Sequence, residues 1–221
     1  MKIIFSNTIF FEQKTGGISR YFVNLLEYLT KQKVKSLIIA PLSKNLYLKN
    51  LKKNKISFYI NRFPNWRILQ KINNFFFKYI SFKYRPNIVH ETYYNKENLE
   101  FFKNKIKIIT IYDLIHEKFK KKYSNRKVPN KIDIVHYSDH FICISKKTQK
   151  DFISYYKISP KKTSVVYLGA DHLKKKFKKF KKIRPINEKY ILFVGARDRY
   201  KDFKVLAKSI NSLNKLKNYK I

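Results

Sequence analysis

Two polar segments, each at the end of a predicted strand, carry side chains that could bind a ligand rich in hydroxyl groups. His90 and Glu91 are followed closely by Tyr94. An imidazole, a carboxylate and a phenol can hydrogen-bond hydroxyls, and a tyrosine ring can stack on the face of a sugar. Asp113 and His116 follow the other strand and could reach one cleft. The alternative stays open for both segments: polar residues at strand ends that make ordinary hydrogen bonds.

A pair of glycines near the N-terminus indicates an anion site. Gly16 and Gly17 precede a helical pattern that starts at Ile18. Paired glycines let a backbone approach a phosphate closely, and a helix N-terminus adds partial positive charge. A loop that requires positive φ, with Ser19 as a plain helix cap, explains these residues equally well. The pair does not match the G-x-G-x-x-G fingerprint of dinucleotide sites, so NAD binding is not indicated.

A second anion site is predicted near the end of the chain. The apolar residues 191–194 predict a buried parallel strand that Gly195 ends. Arg197 and Lys201 then stand just before a helical pattern, and cations at a helix start suit an anion. One strand with one helix cannot bury its faces alone. The sequence therefore predicts one complete domain and an incomplete second α/β domain.

The elements that must position these residues alternate along the chain. Predicted strands cover residues 2–6, 36–40, 56–60, 87–90, 107–112, 139–145 and 162–168, and predicted helices cover 18–31, 43–53, 65–83 and 145–156. Repeated strand–helix units imply a doubly wound parallel sheet, in which ligands bind at the carboxyl ends of the strands. We expect this domain to span residues 1–171, a lysine-rich linker 172–188, and the second domain 189–221.

The charge of the chain raises the question of a polyanionic partner. The chain has 51 basic residues among 221 and a formal net charge of +37. Only 8 of the basic residues are arginine, the side chain that reads bases and phosphates through paired hydrogen bonds. AT-rich codons, which also favour Asn, Ile, Phe and Tyr, account for much of the lysine excess. We therefore expect weak attraction to an anionic membrane and no specific nucleic-acid partner.

The predicted helix over residues 65–83 bears on the membrane question. Its apolar residues share one face, namely Trp66, Leu69, Ile72, Phe76, Tyr79 and Ile80. Basic and amide side chains fall mostly opposite, namely Arg67, Lys71, Asn74 and Lys78. Packing in the core is the favoured explanation of such a stripe, and a helix lying on a membrane surface is the alternative.

Several features bound the compartment and the cofactors. The single cysteine, Cys143, lies inside an apolar run and is expected to be a buried thiol. No matching pair of zinc ligands accompanies His90 and His116, so we expect no metal. No apolar run approaches the roughly 20 residues of a membrane span, and the N-terminus lacks a signal-peptide pattern. We expect a cytoplasmic protein, with the inner face of the membrane as a peripheral contact.

Six segments, taken together and in order, resemble the GT-B glycosyltransferases of family 4, a retaining group that includes many mannosyltransferases. They are residues 16–21 (GGISRY), 86–94 (PNIVHETYY), 112–117 (YDLIHE), 139–145 (DHFICIS, running into Thr148), 165–171 (VVYLGAD) and 193–201 (FVGARDRYK). No single segment decides the resemblance, which spans nearly the whole chain.

The resemblance implies a Rossmann-like N-terminal domain that holds the acceptor and a C-terminal domain that holds most of a nucleotide-sugar donor. Gly16 and Gly17 would approach the donor diphosphate, and Arg197 and Lys201 would neutralise it as it leaves. Family members need no metal or other cofactor, and the leaving phosphate is thought to deprotonate the acceptor. The implied reaction transfers mannose, with GDP-mannose as a guess at the donor, to a cell-surface glycan or lipid-linked acceptor with retention.

The remaining candidates are assigned to acceptor binding (His90, Glu91 and Tyr94) and to catalysis (Asp113 and His116). Two departures from the family pattern matter. Many relatives carry a histidine where Tyr112 stands, which weakens an acid–base role at that point. The two-glutamate motif of the family lies deep in the second domain, whereas this sequence stops at Ile221. We expect the chain alone to lack transferase turnover, and a non-catalytic binding module is the alternative function.

Overall fold

The computed structural model describes residues 1–62, 65–119, 131–170, 188–195, 202–213 and 219–220. The chain divides into two units, Met1–Leu168 and Gly169–Ile221, and each is described by itself. The predicted linker over 172–188 lies outside the described residues, apart from residue 188.

The first unit contains one sheet of seven parallel strands in the order β3-β2-β1-β4-β5-β6-β7. The strands are β1 (Lys2–Phe5), β2 (Lys35–Ser43), β3 (Lys55–Tyr59), β4 (Ile88–Glu91), β5 (Ile106–Ile111), β6 (His140–Cys143) and β7 (Thr163–Val165). The helices are α1 (Thr8–Glu12), α2 (Gly17–Lys31), α3 (Leu46–Asn50), α4 (Trp66–Tyr84), α5 (Lys96–Phe101), α6 (Ile115–Lys118), α7 (Lys131–Tyr137) and α8 (Lys146–Tyr156). The predicted doubly wound α/β fold is confirmed.

The order of the strands reverses beside β1. The chain builds β2 and β3 on one side of β1, and then returns to place β4 on its other side, with Phe5 opposite His90. The carboxyl ends of β1 and β4 therefore meet at the topological switch point, the place where open parallel sheets bind ligands. The segments that follow these two strands, from Ser6 and from Thr92, meet there.

Neighbouring strand residues face opposite sides of the sheet, and each side has its own apolar core. Phe5 and Ile38 pack with Phe22 of α2 on one side. Ile4 and Ile39 pack with Phe77 of α4 on the other. Complete burial of a large apolar side chain stabilises a fold by about 1.5–3 kcal/mol. The sheet is thus fixed between α2 and α4, which lie on opposite faces.

Strand β2 runs through Pro41, where the sequence predicted that it would stop. The pairing of β2 with β3 shifts register between Ile39 and Leu42, so the proline lies at a bulge, a position where its missing N–H is tolerated. The Leu42 N–H donates instead to Asn73 Oδ1 of α4 at 2.8 Å. The bulge therefore brings a backbone N–H of β2 to a buried amide on the helix that covers this side of the sheet.

Side-chain caps define where several helices begin. Asn45, Asn65 and Asn95 each accept a hydrogen bond from a backbone N–H of the first turn of α3, α4 and α5. Ser145 caps α8 in the same way, at the residue where the predicted helix over 145–156 begins. The predicted helix over 43–53 starts later than expected, because Ser43 is the last residue of β2 and Asn45 is the cap of α3.

The described part of the second unit contains helix α9 (Phe203–Ser212) and an isolated parallel bridge between Tyr190 and Lys220. The predicted strand over 191–194 is not formed, because the pairing is limited to that bridge within the described residues. The Phe193 ring packs against Phe203 of α9 with centroids 5.1 Å apart. Gly195 has φ 155°, in the region that favours glycine, in line with its predicted role as a turn.

Candidate functional site at the switch point

Glu91 is the centre of a buried hydrogen-bond network that joins the ends of β1 and β4. Its side chain is fully buried. Ser6 and Thr8 donate their hydroxyls to Glu91 Oε1 at 2.7 and 2.6 Å. Asn98 Nδ2 of α5 donates to Glu91 Oε2 at 3.1 Å. The Thr92 N–H closes the junction by donating to Ser6 Oγ at 2.9 Å. The carboxyl group therefore fixes the loops that form the floor of the site.

Burial raises the pKa of the Glu91 carboxyl to about 7, although hydrogen bonds from Thr8, Ser6 and Asn98 act to lower it. A carboxyl with this pKa exchanges a proton near neutral pH. Both oxygens of this carboxyl face the buried donors Ser6, Thr8 and Asn98. The titrating proton therefore lies inside the hydrogen-bond network that supports the site.

His90 forms part of an apolar wall next to this network. Its ring lies 5.5 Å from the ring of Phe5 and 5.0 Å from that of Phe22. His90 Nε2 shares a hydrogen bond of 2.9 Å with Thr110 Oγ1. Burial lowers the pKa of the imidazole to about 3, so the ring is neutral at ordinary pH. The sequence segment is therefore at the predicted strand end, with His90 facing the core on the α2 side.

Tyr94 lies beside a buried ion pair that sequence reasoning missed. Lys131 Nζ of α7 donates to Glu117 Oε1 at 2.7 Å, and the Tyr156 hydroxyl donates to the same oxygen at 2.9 Å. The Lys131 side chain is only 2% exposed, and its ammonium lies 4.8 Å from the centre of the Tyr94 ring. Glu117 and Lys131 are 14 positions apart and on different helices, so no local pattern indicates this pairing.

Asp113 and His116 lie together where β5 leads into α6. Asp113 is exposed, and its Oδ1 accepts a hydrogen bond from the Ile115 N–H at 3.2 Å. His116 follows within α6 and is partly buried. The Asp113 charge contributes to the raised pKa of Tyr94, for which burial is the main cause. The two polar segments that follow β4 and β5 are thus electrostatic neighbours, and Asp113 is their solvent-facing carboxylate.

The two glycines precede and begin α2, with Gly16 as the N-cap residue and Gly17 as the first helical residue. Gly16 has φ 172°, which is extended backbone, so the explanation by a loop with positive φ is wrong. Ser19 is not the cap either, since it lies inside the helix and donates to the Gly16 carbonyl at 3.2 Å. A methyl group added at Gly17 would meet nothing within 4 Å.

Gln13 is a second residue that sequence reasoning missed. Its Oε1 accepts a hydrogen bond from the Ser19 N–H at 3.4 Å. A Cβ atom at Gly16 would collide with the same oxygen. The carboxamide oxygen of Gln13 therefore lies against the N-terminus of α2, where the partial positive charge of the helix dipole stabilises it. No signal in the sequence marks Gln13, because its partners depend on how the loop folds back.

The remaining predictions concern the second anion site, a metal ion, the cysteine and a membrane span. Arg197 and Lys201 lie outside the described residues. The described part of the chain contains no group of three His, Cys, Asp or Glu side chains that could hold a metal ion. Cys143 is buried as predicted, and burial raises the pKa of its thiol to about 11. In the same part of the chain, no helix combines the length and the apolar character that crossing a bilayer would need.

Comparison with solved structures identifies the fold. A glycosyltransferase from Rickettsia africae ESF-5 is 18% identical, with a TM-score of 0.53 over 100% of this chain and 67% of that one. Anabaena Alr3699/HepE in complex with UDP-glucose is 13% identical, with a TM-score of 0.53 over 100% and 68%. HepE in complex with UDP gives 13% identity and a TM-score of 0.49 over 77% of this chain, which spans 44% of that one. At these identities the likeness shows the fold alone, a Rossmann-like unit of the GT-B glycosyltransferases.

Comparison of sequences identifies the family. No curated protein matches the chain. The sequence model of Glycosyltransferase Family 4 matches residues 15–173, a range that includes the glycines of α2, the segment from His90 to Tyr94, and the segment from Asp113 to His116. Because this match covers most of the chain, the protein belongs to Glycosyltransferase Family 4.

Proposed function

We propose that this chain contributes the acceptor side of an enzyme that transfers a sugar from a nucleotide-sugar donor to a glycan or lipid-linked acceptor, with retention of configuration. The observation that carries the proposal is the convergence of Asp113, Tyr94 and the N-terminus of α2 on the carboxyl edge of a doubly wound sheet, in a chain of this family. The activity is proposed for the whole protein, since the chain spans less than half of HepE in its UDP complex.

The N-terminus of α2 is proposed to receive the donor diphosphate. The space around Gly17 is open, and the Ser19 N–H already has a weak acceptor in the carboxamide of Gln13. A phosphate oxygen is a stronger acceptor for the same backbone donors. Binding would move the flexible Gln13 side chain aside. Arg197 and Lys201, outside the described residues, would neutralise the leaving diphosphate.

The acceptor is proposed to lie over the loops that follow β4 and β5. Asp113 is the exposed carboxylate there, and with His116 it would orient the acceptor hydroxyl. Tyr94 would border the sugar. Glu91 and His90 would act from below, because their polar atoms are engaged by Ser6, Thr8, Asn98 and Thr110. The leaving phosphate would take the acceptor proton, so the reaction requires no metal ion or other cofactor.

The identities of the sugar and of the nucleotide are the most specific part of the proposal. The family resemblance suggests mannose from GDP-mannose, whereas the HepE structure with the same fold was solved with UDP-glucose. Both are tested by saturation-transfer NMR on the purified chain, which detects weak binding. We expect contact with one nucleotide sugar and a clear loss of it in Gly17→Val, whose side chain fills the open space without meeting the protein at Cβ. Equal signals from the unaltered chain and from Gly17→Val would exclude this diphosphate site.

The proposed catalytic roles are tested on a chimaera in which this chain is joined to the second domain of a full-length relative. Asp113→Asn should lower kcat/KM for transfer while leaving hydrolysis of the donor by water less affected, because the acceptor and not the donor loses a partner. Lys201→Ala should raise the barrier by roughly 2–4 kcal/mol if the lysine acts on the leaving charge. Glu27→Gln, an exposed position on the far part of α2, is the control.

A further inference from the structure

Helix α4 turns its apolar side to solvent, which reverses the usual arrangement of a surface helix. The residues that face the core are Leu69, Asn73, Phe77 and Ser81. The exposed large side chains, here named the outer face of α4, are Ile68, Ile72, Phe75, Phe76, Tyr79 and Phe82. Phe75 is 66% exposed and Phe82 is 73% exposed. Single exposed apolar residues are ordinary, but a contiguous set on one helix marks an interaction surface.

The rotation of α4 is fixed by polar contacts on its inner side. Asn73 Oδ1 accepts from the Leu42 N–H that the bulge at Pro41 leaves unpaired in the sheet. Asn74 Oδ1 accepts from Asn7 Nδ2 at 2.9 Å. A rotation that buried the outer face would break both bonds and leave the partly buried Leu42 N–H without its acceptor, at a free-energy cost. The exposure of the phenylalanines is therefore built into the fold.

Basic side chains border the outer face of α4. At 3.6 residues per turn, Arg67, Lys71 and Lys78 fall along one flank of it. Lys83 Nζ lies 4.7 Å from the centre of the Tyr79 ring. Long cationic side chains placed beside exposed aromatic rings can keep their charge in water while the stems cover apolar surface. This combination of aromatic rings and flanking cations is the pattern of helices that lie in a membrane interface.

The same surface continues past the C-terminal end of α4. A depression there is lined by Phe82 and Phe101, together with the cationic side chains of Arg85, Lys103 and Lys105 and one carboxylate, Glu100. Phe101 is 43% exposed, and Lys78 Nζ lies 5.4 Å from the centre of its ring. The excess of cations over carboxylates extends the positive border of the apolar face.

We propose that the outer face of α4 lies on an anionic lipid bilayer, with its aromatic rings among the acyl chains and its cations at the headgroups. The net charge of +37 makes a second copy of the chain an unfavourable occupant, because like charges would be pressed together. Anionic headgroups complement the lysines that border the rings.

Vesicle co-sedimentation of the full chain tests the proposal. The vesicles are phosphatidylcholine alone or phosphatidylcholine with phosphatidylglycerol, at low salt and at about 0.5 M NaCl, where the Debye length falls to about 4 Å. Charge alone would bind the chain only at low salt, whereas inserted rings keep part of it bound at high salt. We expect Phe75→Ser/Phe82→Ser to lower the salt-resistant bound fraction roughly tenfold, since insertion depends on apolar area.

A matched pair of tyrosines controls for the loss of an aromatic ring as such. Tyr79 on the outer face is 48% exposed, and Tyr28 on α2, across the sheet, is 59% exposed. Tyr79→Ser should weaken salt-resistant binding, and Tyr28→Ser should leave it unchanged. Far-UV circular dichroism of each variant verifies the fold, to which these exposed side chains are expected to contribute little.

Two outcomes would overturn the proposal. In the first, Phe75→Ser/Phe82→Ser binds vesicles as the unaltered chain does at both salt concentrations, so that charge alone holds the protein. In the second, analytical ultracentrifugation without lipid finds a dimer that the double variant abolishes, so that a second copy covers the face. No nucleotide sugar is present in either measurement, so the result is independent of the proposed transferase function.

Discussion

The switch point and the outer face of α4 depart from the usual rule of burial in opposite directions. At the switch point, Ser6, Glu91 and Asn98 are fully buried. On α4, Phe75 and Phe82 are mostly exposed. The polar residues are tolerated inside because hydrogen bonds satisfy most of their polar atoms, Asn98 Oδ1 being an exception, whereas the rings outside bury only a small part of their surface. Stability alone explains neither set, and both lie where a binding function is proposed. The following substitutions test that difference.

The largest effect is expected from the buried ion pair next to Tyr94. Lys131→Met removes the cation and leaves the Glu117 carboxylate buried, with Tyr156 as its remaining donor. We expect a loss of about 3–5 kcal/mol in the free energy of unfolding, measured with urea. Lys147→Met removes a largely exposed cation from its pair with Asp151 and should lower the free energy of unfolding far less. Similar losses in the two variants would mean that burial of charge is not what distinguishes this region.

Glu91 is expected to give a pH-dependent effect of intermediate size. Its pKa is raised from 4.5 in the unfolded chain to about 7 in the folded one. The folded state therefore binds the proton more tightly, and the contribution of this group to stability is present below pH 4.5 and is lost as the pH rises to about 7. By linkage the loss is on the order of 3 kcal/mol.

Glu91→Gln carries no titrating proton, so it should remove this part of the pH dependence. Relative to the unaltered chain, the variant should gain on the order of 2–3 kcal/mol between pH 5 and pH 8 in urea unfolding. Glu27→Gln, at an exposed position of α2, should show no such change. Parallel curves for Glu91→Gln and the unaltered chain would show that the carboxyl does not titrate in this range.

The sequence predicts the sheet well because buried parallel strands are short apolar runs separated by helical patterns. It also predicts that His90, Glu91 and Asp113 stand at the ends of strands, although His90 and Glu91 are the last two residues of β4 and only Asp113 follows its strand. It does not predict which of them face inward. That choice depends on the phase of each strand and on the helix packed above it, so His90 meets Phe22 and Asp113 meets solvent.

The orientation of α4 was the hardest feature to predict. The apolar stripe in the sequence favoured core packing, yet Ile72, Phe76 and Tyr79 are exposed, and of that stripe only Leu69 is fully buried. The reason is not local, since Asn73 accepts a hydrogen bond from the Leu42 N–H at the bulge in β2. Helical periodicity identifies a face, but a contact 31 residues away decides where that face points.

A smaller effect on stability is expected at Gly17, where helix α2 begins. Gly17→Ala adds a methyl group where nothing lies within 4 Å, and alanine restricts the unfolded chain. The variant should be more stable by about 0.5 kcal/mol, as measured by its thermal midpoint. In Gly16→Ala the new methyl group would push the Gln13 carboxamide aside, so no gain is expected. A loss of stability in Gly17→Ala would show that this glycine has a structural role instead of leaving room for a ligand.

The smallest effect on stability is expected on the outer face of α4. Phe75→Ser/Phe82→Ser removes two rings that are 66% and 73% exposed, so the free energy of unfolding in urea should change by no more than about 0.5 kcal/mol per site. Phe77→Ser on the same helix removes a fully buried ring and should cost about 3–5 kcal/mol. A large loss in the double variant would mean that the outer rings support the fold. A negligible loss, together with weaker binding to anionic vesicles, would mean that these two phenylalanines serve contact with another surface, while Phe77, within two positions of Phe75, serves the core.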